Sequence, residues 1–222
     1  GYNRATDNSR STGSTIKPVI DYGPAIEYLN YSTGQTIMDQ RTTYSNGVEL
    51  NNWDFSHKGA MTLRTALVYS RNTTALQTFK AVGETNIKSF LNNLDIQIKN
   101  DGQDYLVESN SIGADISPIK MAAAYATFGN YGTYSKPYTV TKVTTRDGQV
   151  TEFKPEQKQA MKDSTAYMIT DVLKDSFKYG FATQAAIPGL PTAAKTGSSN
   201  YTIEQKRAMG ASDYEDIIPD SW

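Results

Sequence analysis

Between residues 60 and 180 the apolar side chains recur with helical spacing except in one stretch, 138–153, where the period drops to two. That switch predicts a mostly helical architecture with a few strands. Residues 60–70 (AMTLRTALVYS) put Met61, Leu63, Leu67 and Val68 near one stripe. Residues 72–83 open on Asn72, a good cap, and end on Gly83, and a further helical pattern runs over 84–96. Residues 117–132 begin with Ser117 and Pro118, a cap followed by proline at the first helical position. Residues 161–180 form the longest pattern and close on Gly180. In 138–153, Asp147-Gly148 between alternating runs predicts a hairpin.

The remaining stretches are less regular. Residues 1–13 read as loop, and 31–58 as a long loop with short strands at best. Residues 14–30 read as a short helix broken at Pro18 and at Gly23-Pro24. Residues 192–201 (TAAKTGSSNY) are small and follow Pro191, which predicts a strand that something can approach closely. The last twenty residues are polar and show no clear element.

Composition removes several classes of function. Of 222 residues, 22 are basic and 23 acidic, so no nucleic-acid footprint is evident. No apolar run approaches the roughly 20 residues of a spanning helix. Cysteine is absent, which excludes disulfides, thiolate metal sites and a cysteine nucleophile. The only histidine, His57, would have to serve any Ser-His-Asp triad, and a lone histidine is more often a packing or surface residue. A histidine metal site is equally disfavoured, and no cofactor is implied.

Three short words carry chemistry in order: Ser14-Thr15-Ile16-Lys17, Ser70-Arg71-Asn72 and Lys195-Thr196-Gly197. Each alone is weak. Ser14 and Lys17 alone fit a capped helix, Ser70 and Asn72 fit caps, and residues 195–198 fit an exposed edge strand. A second S-x-x-K, Ser117 to Lys120, reads as a cap with an exposed lysine. A serine hydroxyl is a poor nucleophile without a base. Lys17, three residues on, shares a face with Ser14 and can bring its amine to the serine oxygen. Burial and a second cation, Lys195, would lower its proton affinity enough. The helix N-terminus would favour an alkoxide on Ser14. Gly13 gives the backbone freedom to present the serine, and Pro18 predicts a distorted first turn.

S-x-x-K, S-x-N and K-T-G together mark penicillin-binding proteins and related β-lactamases. The longer stretches NRATDNSRSTGSTIKPV, NWDFSHKGAMTLRTALVYSRNTTAL, SPIKMAAAYATFGNYGTYSKPYTVTKV and AAKTGSSNYT resemble the transpeptidase domain of class A, bifunctional penicillin-binding proteins, of the Gram-positive type. The resemblance implies an α+β fold, a helical subdomain beside a five-stranded antiparallel sheet, with the active site between them. It also implies that residues 1–222 are an incomplete, partial transpeptidase domain. Strands expected before Ser14 and after the third motif are not covered. A glycosyltransferase domain and a membrane anchor are expected upstream, on the extracytoplasmic face of a bacterial cell membrane.

By the same resemblance, Ser14 is the nucleophile, Lys17 its base, and Ser70 a proton relay to the leaving amine. Asn72 binds the substrate amide. Thr196 and Ser198 hold a substrate carboxylate beside Lys195, and Gly197 lets the substrate backbone lie against the strand. The N–H groups of Ser14 and Ser198 form an oxyanion hole, each donor being worth about 3–4 kcal/mol in the barrier. The implied partners are a peptidoglycan stem peptide ending in D-Ala-D-Ala, an acceptor amine and β-lactams. Three alternatives stand beside this reading. A serine β-lactamase would need a carboxylate to activate water; ETNIKSFLNN has the wrong spacing for it, and Arg71 replaces the usual aspartate. The others are a D,D-carboxypeptidase and a catalytically silent module of the same fold. The chain alone is expected to label poorly with fluorescent penicillin, because a missing half-sheet leaves strand edges open.

Overall fold

The computed structural model describes residues 1–201, 203–212 and 220–221. Its body is a set of helices: α1 (Gly23–Leu29), α2 (Leu63–Val68), α3 (Asn72–Val82), α4 (Glu84–Asn93), α5 (Pro118–Gly129), α6 (Asp163–Lys174) and the short α7 (Ile203–Ala208). The patterns at 72–83, 84–96, 117–132 and 161–180 are thus helical, each a few residues shorter than its apolar period. The pattern at 60–70 is corrected. Residues Gly59–Thr62 form a strand paired with Thr36–Asp39, and α2 begins only at Leu63. The boundary is set by Thr62, whose hydroxyl accepts the Thr65 N–H and caps the helix. Met61 therefore belongs to a strand and not to the helical stripe.

No sheet among the described residues has more than two strands, so the five-stranded sheet is not assembled here. The pairs include Arg10–Ser11 with Asp115–Ile116, and Lys142–Thr144 with Val150–Glu152. The second pair is the expected hairpin, turned by Asp147-Gly148 with Gly148 at φ 84°. Residues 192–197 are not a strand; only Ser198–Ser199 are, paired with Asp220–Ser221. Of the final twenty residues, 203–208 are helical, while 213–219 and 222 lie outside the described residues.

Residues 13–29 hold the centre of the molecule. Gly13–Ile16 wind as a 3-10 turn, Pro18–Tyr22 as a π turn and Gly23–Leu29 as α1. The two breaks read from the sequence are the places where the winding changes. Pro18 opens the π turn and Pro24 stands second in α1, so each proline falls where one winding gives way to the next. Ile16, Ile20 and Tyr22 are fully buried, as are Leu63 and Leu67 of α2, Leu76 of α3 and Ile87 and Phe90 of α4. The π turn packs against α1, α2, α3 and α4. Fully burying each large apolar side chain stabilises by roughly 1.5–3 kcal/mol, so this strand of chain is fixed by its apolar half. Between α2 and α6, Arg64 is bonded to Asp171 and Asp175 at 2.6 Å each.

Candidate active site

The first motif rides on the 3-10 turn. Gly13 has φ 50°, and a side chain there would collide with the Ser198 carbonyl. Pro18 cannot donate to the Thr15 carbonyl three residues back; the Tyr125 hydroxyl of α5 does so instead, at 2.7 Å. Ser14 is half-buried, and its hydroxyl makes no hydrogen bond among the described residues. Lys17 is fully buried. Its amine does not meet Ser14 as the spacing suggested. It lies 2.8 Å from the Ser70 carbonyl, 3.3 Å from Ser70 Oγ and 2.7 Å from Asn72 Oδ1. Winding does not explain the difference, since residues three apart eclipse in a 3-10 turn; Lys17 is directed inward by its acceptors, the Ser70 carbonyl and Asn72 Oδ1. The 3-10 turn has only four residues, but it runs on through Lys17 into the π turn and α1, so the dipole argument for Ser14 keeps a helix behind it.

The second motif is the junction between α2 and α3. Ser70 sits at φ 54°, a conformation that a serine holds only where its surroundings impose it. What imposes it is a buried polar network the sequence did not announce. Arg71, 2% exposed, is bonded to Asp39 (2.9 Å), to Asp54 (2.9 and 3.0 Å) and to the Ser56 carbonyl. Asp39 also accepts from Thr73, Asn52 and the Lys58 N–H. Burial alone would raise the Asp39 carboxyl, but these donors and Arg71 together hold it below the usual range. Asn72 is not the cap of α3. Asn52 does that work from a distance, its Oδ1 accepting the N–H groups of Asn72 (2.7 Å) and Thr73 (3.3 Å). This leaves the Asn72 side chain free to accept from Lys17 and to donate to the Asn51 carbonyl at 2.8 Å. His57 lies 3.9 Å from Asp39 and does not line the groove described below.

The third motif crosses over the first. Lys195 is buried, and its amine donates to Ser70 Oγ and to the Thr196 carbonyl, both at 2.8 Å. A Cβ on Gly197 would stand 2.8 Å from the Thr12 carbonyl and 2.9 Å from the Thr15 nitrogen. Gly197 is therefore needed for the two motifs to touch. Thr196 and Ser198 face outward. Burial pushes the Lys17 amine well below its usual range, with the Lys195 and Arg71 charges acting the same way and Asp21 opposing. Burial also lowers Lys195, to about 7.

Ser14, Ser70, Asn72, Thr196, Gly197 and Ser198 line one groove of about 340 Å³, with Trp53 and Phe181. The two rings meet edge to face at 5.3 Å. Lys17 and Lys195 lie beneath the groove and both reach Ser70 Oγ. All eight residues named from the three motifs are thus brought to one place. Trp53 and Phe181 were missed; nothing in their spacing distinguishes them from packing aromatics. Among the described residues no cluster of His, Asp or Glu could hold a metal ion, and no helix is long and apolar enough to cross a membrane.

Residues 1–215 match the penicillin binding protein transpeptidase domain, and the chain belongs to that family. It is 42% identical over 206 residues to penicillin-binding protein 1A/1B of Bacillus subtilis, covering 90% of this chain and 22% of that protein. It is also 42% identical over 211 residues to penicillin-binding protein 1A of Streptococcus pneumoniae, covering 92% of this chain and 29% of that protein. The chain thus spans less than a third of these two relatives. In fold it is similar to the D,D-transpeptidase domain of a peptidoglycan glycosyltransferase from Eggerthella lenta, with TM-score 0.79 and 20% identity, covering 100% of this chain and 58% of that one. It is likewise similar to penicillin-binding protein A from M. tuberculosis in an imipenem acyl-enzyme complex, with TM-score 0.78 and 21% identity, over 90% of this chain and 51% of that one. A chain with half to three-fifths of a relative's length is consistent with an incomplete sheet.

Proposed function

We propose that these residues are the acyl-transfer centre of a D,D-transpeptidase that cross-links peptidoglycan stem peptides and is acylated by β-lactams. The observation that carries this reading is the meeting of two buried lysine amines at Ser70 Oγ, beneath a groove that Ser14 lines. Ser14 Oγ attacks the carbonyl of a terminal D-Ala-D-Ala peptide bond, and its proton passes to Lys17. The N–H groups of Ser14 and Ser198 stabilise the oxyanion, and Asn72 orients the peptide. The bond to the terminal D-Ala breaks, and Ser70 delivers the proton from Lys17 to the departing amine. The amine of a second stem peptide then attacks the ester and restores Ser14. Lys195, with Thr196 and Ser198, holds the terminal carboxylate.

The residues lining the groove include no aspartate or glutamate, which gives a deacylating water no base and argues against a β-lactamase. The parent protein in this reading is of the class A type, anchored at the outer face of the membrane and bearing a glycosyltransferase domain; in support, the chain matches only 22% and 29% of penicillin-binding proteins 1A/1B and 1A, which fits residues 1–222 as part of its transpeptidase domain. The test is release of D-Ala from a synthetic stem pentapeptide by the full-length protein carrying these residues. Release that requires Ser14 and doubles as cross-linked product when an acceptor amine is added supports the reading. Release that persists in Ser14→Ala contradicts it.

A further inference from the structure

Among the described residues, Asp21 is the buried side chain near this site whose polar atoms have no partner, and the mechanism gives it no role. It stands one turn beyond Lys17, in the π turn, and is fully buried. Neither of its oxygens has a hydrogen-bond partner among the described residues. No ion pair within 4 Å joins it to Lys17. A buried carboxylate without donors is costly, far more so than a buried carboxylic acid. Segments of π turn occur often at functional sites, and this one carries the chain from Lys17 into the core at Val19, Ile20 and Tyr22.

The hydrogen bonds of Lys17 point the same way. The Ser70 carbonyl and Asn72 Oδ1 can only accept, so they take two protons from the amine. The third neighbour, Ser70 Oγ, is longer at 3.3 Å and can either accept or donate. Lys195 already donates to that oxygen at 2.8 Å. With Lys195 as the donor, the Ser70 hydroxyl proton is free to point at Lys17. An uncharged Lys17 is then fully satisfied, with two bonds donated and one accepted.

We propose that Lys17 and Asp21 share a single proton and that it rests on the Asp21 carboxyl, leaving Lys17 an uncharged amine ready to receive the Ser14 proton. Asp21 is thereby a positioning residue for charge: it fills the interior beside the base without supplying the counter-ion that would make the base an ammonium. The inference rests on the reading of Lys17 as the base. The other groups facing the pair agree. Lys195 and Arg71 both disfavour a charge on Lys17, and burial raises Asp21 well above the usual carboxyl range, the Lys17 charge opposing. Arg71 is matched by Asp39 and Asp54. The phenol of Tyr22 is pushed up by burial and bonded to Thr74. Among the described residues, Lys17 is therefore the cation that Asp21 faces.

The test is infrared difference spectroscopy on the full-length protein, wild type minus Asp21→Asn, at neutral pH. A protonated-carboxyl carbonyl band present in the wild type and lost in the variant is expected. Carboxylate bands in its place would overturn the proposal. Should Asp21→Asn not fold, wild-type protein grown with ¹³C-aspartate gives the same answer, because the band must then move to lower frequency. As a second readout, the acid limb of Ser14 acylation is expected at the same pH in Asp21→Asn. An ionised Asp21 would instead let that limb drop by about 1 unit or more on its removal. A wild-type protein whose Ser14 takes up no penicillin would overturn the reading of the site, while the band would still report where the proton sits.

Discussion

The two lysines of the site are held in unlike ways. Lys17 grows out of the core: it follows Ile16, precedes Val19 and Ile20, and has three neighbours on a junction locked by the Arg71, Asp39 and Asn52 network. Lys195 belongs to a segment with almost no regular structure. That segment touches the body through the Lys195 amine on Ser70 Oγ, at 2.8 Å, through the Ala194 N–H on the Leu173 carbonyl, at 3.3 Å, and through the crossing of Gly197 over the first motif. The floor of the site is thus built by folding itself, whereas the wall is laid against it. Changes to the floor are expected to strike stability and chemistry together, and changes to the wall to strike chemistry first.

The largest effect is expected at the floor. Arg71→Met leaves Asp39 buried without its 2.9 Å ion-pair partner, which costs about 3–5 kcal/mol, read as a lower urea midpoint with an unchanged slope. A loss under 1 kcal/mol would show that the network is dispensable. Lys17→Gln is expected to lower the acylation rate by about 10²–10⁴-fold. Gly197→Ala, on the wall, is expected to push the third motif off the first and cut acylation by about 10²-fold with little loss of stability. A fall in stability matching that of Arg71→Met would erase the distinction between the two regions.

Smaller effects sharpen the comparison through pH. Lys195 loses its charge near pH 7 in the free protein, so affinity for an anionic penicillin is expected to weaken as pH rises through that value. A flat profile would mean that Lys195 stays charged. Asp21 has a raised folded-state value, so the folded protein holds a proton that the unfolded chain releases from about pH 4 upward. Wild type therefore loses stability relative to Asp21→Asn as pH climbs from about 4 to 7, by roughly 2–4 °C in midpoint for each kcal/mol. Parallel curves would place the charge on Asp21. Val143→Thr in the exposed hairpin is expected to stay within about 0.5 kcal/mol and to leave acylation alone.

Much of this was legible beforehand, for stated reasons. Helix positions followed from period, and the hairpin from Asp147-Gly148, because both signals are local. The three motifs announced the site because residue type and order survive without coordinates. What failed was set by distant partners. The strand at Gly59–Thr62 exists because Thr36–Asp39 lies beside it. The expected strand at 192–201 shrank to Ser198–Ser199, since few neighbours are present to pair with it. Asn72 looked like a cap because its type favours that role, yet Asn52, twenty residues away, took it. The inward aim of Lys17 came from acceptors on Ser70 and Asn72, 53 and 55 residues on, which its own spacing could not announce.

The central claim is that folding delivers one serine to two buried amines and makes it the residue that is acylated. The direct measurement is intact and peptide mass spectrometry of the full-length protein after brief exposure to penicillin. The account predicts a single adduct on the peptide bearing Ser14, abolished by Ser14→Ala and slowed by Lys17→Gln and by Gly197→Ala. An adduct on Ser70, on Ser198 or on any other residue, or equal labelling of the Lys17 variant, would contradict it.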